Sequence, residues 1–122
     1  MFKVKFSKKA LNYINEQQKL FLQDNSDDEL VIAIFFHSAS NWTIAFCGNV
    51  VELVKRQDVL EDGHFIEYMD NIQKPYIKVF IEEEIIPELI LKDEVLVDAA
   101  LGEVSGEKIA MFFIKKKDNV YG

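Results

Sequence analysis

Two histidines, His37 and His64, one cysteine, Cys47, and the serines Ser38 and Ser40 are the side chains best suited to acid–base or nucleophilic work. Two histidines with one carboxylate, here Asp58, Glu61 or Asp62, make the donor set of many open metal sites. His37 beside Cys47 would be a base and a nucleophile, and His37 beside Ser38 or Ser40 a hydrolytic pair. Spacing supports none of these. If His37 pairs with Trp42 across a hairpin, Cys47 falls opposite Ile32, ~16 Å from the tip at ~3.3 Å per strand residue. Cys47 then reads as a small buried hydrophobe. The serines lack a glycine turn that would form an oxyanion hole and a nearby acid to orient the base. Asp24, Asp27 and Asp28 lack the glycine and distal glutamate of a calcium loop. Glu82, Glu83 and Glu84 suit the start of a helical turn better than a metal. The expectation is therefore no catalytic residue, no metal and no cofactor.

The element that must position any site is the stretch from Glu29 to Phe46. Val31 to Phe36, with Leu30 before it, is the longest apolar run in the chain. A run so short, β-branched and aromatic predicts a strand covered on both faces. His37-Ser38-Ala39-Ser40-Asn41 is expected to be a turn, and Trp42 to Phe46 a second strand. Small polar residues at the tip of a buried hairpin are where a binding group would be carried. His37, Ser40, Asn41 and Trp42 are therefore the candidate binding residues. Trp42 could stack on a flat ligand or simply fill a core edge.

Composition bounds the rest. Residues 1–122 read as one domain, and a hydrophobic content of 49% with ten phenylalanines supplies a core without metal or disulfide. A formal charge of −7 argues against nucleic acid or an anionic membrane as partner. Lys115-Lys116-Lys117 reads as a solvated tail, and Lys8 and Lys9 as a solvated helix face. No stretch near the start has the ~7–15 apolar residues of a signal peptide, and none approaches the ~20 that span a bilayer. With a single cysteine, the expected compartment is the cytoplasm.

In chain order, Phe2 to Phe6 alternates as a lead-in strand and Ser7 caps a helix over Lys8 to Lys19. Phe6 and Leu11 there take the positions of a hydrophobic staple. Gln23 to Asp28 is expected to be an acidic turn or loop. Gly48-Asn49 is expected to turn the chain into a strand at Val50 to Val54. Arg56 to Gly63 is polar and ends in a tight-turn pair, Asp62-Gly63. Strands follow at His64 to Met69 and Tyr76 to Ile81. Ile85 to Ile90 then makes a helical turn with Pro87 near its start. Val95 to Val97 and Lys108 to Ile114 are the last strands, with Gly102 and Gly106 marking the turn between them. The fold class is α+β, mostly strand, with sheets packed as a sandwich or partly open barrel, an N-terminal helix and a short helical turn.

This order resembles the HesB/IscA family, the A-type proteins of iron–sulfur cluster assembly. Phe6-Ser7-Lys8-Lys9-Ala10-Leu11 is similar to that family's opening, and Leu30 to Phe46 to its strand–turn–strand. Ile77 to Glu82 resembles its "VYVD" strand, Pro87-Glu88-Leu89 the helical turn after it, and Lys92 to Asp98 the leucine-rich strand. Gly106-Glu107-Lys108-Ile109 would begin the last strand. Alignment places Ser40 where the family's first ligand cysteine stands, and its C-terminal Cys-x-Cys has no counterpart. A serine hydroxyl is a poor ligand for iron that thiolates hold. The resemblance thus implies a HesB-like scaffold without cluster chemistry, acting through a protein partner or as a homo-oligomer. Two alternatives stand beside it: a small-ligand module with its pocket near residues 37–42, and an enzyme or iron–sulfur/metal carrier using non-cysteine ligands, His37 and His64.

Overall fold

Ser7 joins the first two elements. Its hydroxyl accepts a hydrogen bond from the Ala10 N–H at 3.1 Å, the geometry of a helix N-cap, while its own N–H donates to the Val97 carbonyl at 2.9 Å. The computed structural model describes residues 3–24, 27–40, 45–68, 77–91 and 94–115. Before Ser7 lies strand β1 (Lys3–Phe6), which alternates exposed lysines with buried Val4 and Phe6. After it comes helix α1 (Lys8–Asp24), which buries Ala10 and Ile14. The helix runs past the expected end at Lys19. One polar contact ties this extension to the sheet. The Gln18 side-chain amide donates to the Leu30 carbonyl at 3.0 Å and accepts from the Leu30 N–H at 2.9 Å, replacing a strand partner.

The remaining strands are β2 (Leu30–Ser40), β3 (Ala45–Lys55), β4 (Phe65–Tyr68), β5 (Val79–Glu82), β6 (Glu94–Val104) and β7 (Glu107–Lys115). Among the described residues they form one mixed sheet of seven strands, ordered β1-β6-β7-β3-β2-β5-β4 and curled into a half-barrel. Of the two expected arrangements, a sandwich of sheets and a partly open barrel, the single curled sheet agrees with the second, and the α+β class holds. β1 runs parallel to β6 and β2 parallel to β5, and the other neighbours are antiparallel. Among the described residues, one register pair, Val51 with Phe112, joins β3 to β7.

β2 is the strand the sequence predicts, covered on both faces. Ile32 and Ile34 pack into the main core with α1, β1, β5 and β6, while Val31 and Ala33 pack with Val59 and Phe80 on the other side. Phe35 meets Phe65 edge to face at 6.2 Å between ring centres. Val59 comes from a helix, α2 (Arg56–Asp62), in the stretch that sequence reading describes only as polar and ending in a tight-turn pair. Its N-cap residue, Lys55, provides no side-chain cap. Instead Asp28, far away in sequence, accepts from the Gln57 N–H at 3.2 Å, and the Arg56 N–H donates to the Glu29 carbonyl at 2.8 Å. Gly63, in the left-handed region at φ 79°, ends the helix as the Asp-Gly pair suggests.

After β5, a 3-10 turn (Glu83–Ile85) leads into helix α3 (Ile86–Ile90), with Pro87 in its first turn as expected. The β6–β7 hairpin closes through Ser105 and Gly106, both at positive φ (53° and 82°), which matches the twist of a two-residue hairpin turn. Gly102 lies inside β6 rather than in that turn. A side chain there would collide with the end of Met111, which lies across it from β7. Among the described residues, no helix is long and apolar enough to cross a membrane.

Candidate functional site

The predicted tip residues do not form a turn where the sequence places one. β2 continues through His37, Ser38, Ala39 and Ser40, paired with Gly48, Cys47, Phe46 and Ala45 of β3. β3 likewise runs straight through Gly48 and Asn49, where a turn was expected. The cause is tertiary: each strand supplies the other with a complete ladder, which outweighs the turn preference of serine, asparagine and glycine. The register of Cys47 is corrected with it. Cys47 pairs with Ser38, and Ile32 pairs with Leu53, so the thiol-bearing residue stands near the tip end of the hairpin rather than ~16 Å from it. Asn41 and Trp42 lie outside the described residues, as do the side chains of His37, Ser40 and Cys47.

His64 sits between α2 and β4, and β5 separates β4 from the β2 strand that carries His37. The ring of His64 is solvent-exposed, and its Nδ1–H donates to the Asp62 carboxylate at 2.9 Å. That hydrogen bond, then the Asp62 charge and more weakly those of Glu82 and Glu84, raise the imidazole pKa above 6.5. The Glu82 carboxylate is itself used, accepting from the Phe36 N–H at 3.1 Å. Among the described residues, no three histidines, cysteines or carboxylates are grouped to hold a metal ion.

Carboxylates elsewhere hold the fold. Asp98 accepts from the Ser7 hydroxyl at 2.6 Å and from the Ala99 N–H at 2.8 Å. These bonds, helped by Lys115 and Lys9, hold its pKa below the usual carboxylate range. Asp24 at the end of α1, Asp27, Asp28, and Asp58 and Glu61 of α2 surround a polar hollow of ≈ 430 Å³. Asp28 has a visible task there, since it caps α2.

A second, more apolar trough of ≈ 610 Å³ follows the seam where β3 and β7 share a single register pair. Val50 to Leu53 form one wall, Lys108 to Phe112 the other, and Gln17 of α1 reaches it from the core side. Beside it lies a feature sequence reading passed over. β7 is apolar on both of its sides. Phe112 and Ile114 pack against the main core, whereas Ile109, Met111 and Phe113, on the opposite side, are 43%, 51% and 41% exposed. Helix α2 covers the same side of the sheet at β2 and β3 and leaves β7 uncovered. The apolar run from Ile109 to Ile114 was legible as a strand, but period-two alternation cannot say which side a helix will cover.

No family model matches the chain, and no curated protein or solved structure does either.

Proposed function

We propose that this chain is a non-enzymatic domain that works through protein contact, a HesB/IscA-like scaffold without the ligand cysteines of that family. The observation that carries the contact reading is the uncovered side of β7. A strand with one solvated side ordinarily alternates apolar with polar residues. Here the solvated side presents Ile109, Met111 and Phe113 in a row, on a chain of formal charge −7. Contiguous exposed apolar surface on a soluble domain marks an interaction site. The scaffold part of the reading rests on the sequence resemblance, with Ser40 at the first cysteine position and Cys47 the only thiol in the chain.

Site-specific photo-cross-linking in the native host tests this. The photoreactive residue is placed at position 109 and, as a control, at position 60, another exposed apolar site on α2. Discrete adducts at 109 that vanish with Met111→Glu support the proposal. Absence of adducts at 109, or the same pattern at both positions, refutes it.

A further inference from the structure

We draw no further inference here: the strongest candidate, the apolar side of β7 that presents Ile109, Met111 and Phe113 beside the β3–β7 trough, already carries the contact reading, and nothing in the structure shows what covers it.

Discussion

Ile34→Ala is the most direct test of the central strand. Ile34 has no solvent exposure, lies opposite Val51 on β3 and Ile81 on β5, and belongs to the main core. The substitution removes three buried carbons, worth about 2.4 kcal/mol at ~0.8 kcal/mol each. A residual cavity adds about 1–2 kcal/mol where the site cannot collapse. Collapse is opposed here because β2 is held by ladders on both sides, and moving it inward would strain both. The expected loss is therefore about 3–4 kcal/mol, in the range found for isoleucine truncations in cores. The assay is reversible urea unfolding, read as a lower midpoint at unchanged slope, with a parallel fall in Tm on the order of 10–15 °C. Leu60→Ala on α2, half exposed, is the control and should change stability by about 0.5 kcal/mol or less. A loss below about 1 kcal/mol for Ile34→Ala, with the slope unchanged, would refute the placement of β2 at the centre of the core.

Asp28→Ala should destabilise the protein by about 0.5–2 kcal/mol, because it uncaps α2; hydrogen exchange should show the first turn of α2 opening before the sheet does. His64 should titrate above 6.5 by NMR and move back toward that value with Asp62→Asn. As its folded pKa is the raised one, the pair's stabilising effect is present in acid and is lost as pH rises through the folded pKa. Gly106→Ala should cost about 1 kcal/mol at its positive φ, measured by the same urea midpoint, and more if the hairpin register shifts. Anaerobic reconstitution with ferrous iron and sulfide should leave the protein colourless after desalting. Retained iron and acid-labile sulfide near stoichiometry would show that the scaffold keeps cluster chemistry despite its single thiol.

What the sequence determined by itself lies in signals that act over a few residues. Ser7 with its staple announced the start of α1, and the β-branched run from Val31 announced a doubly buried strand. Pro87 after the glutamates announced a helical turn, and Asp62-Gly63 announced a stop. Each is a local steric or hydrogen-bonding preference that the folded chain had no reason to override. The candidate site was less legible. His37 and Ser40 are turn formers by preference, but a full antiparallel partner holds them in β2, and that partner's register also moved Cys47 toward the tip. Helix α2 could not be read from Arg56 to Asp62 because its cap, Asp28, belongs to another part of the chain. Gln18 gave no sign that its amide would complete the end of a strand. The apolar stripe of β7 was visible as residues and invisible as surface. Whether Ile109, Met111 and Phe113 are core or interface depends on where α2 lies on the sheet, and that is set by contacts with β2, β3 and β4 some fifty residues earlier in the chain.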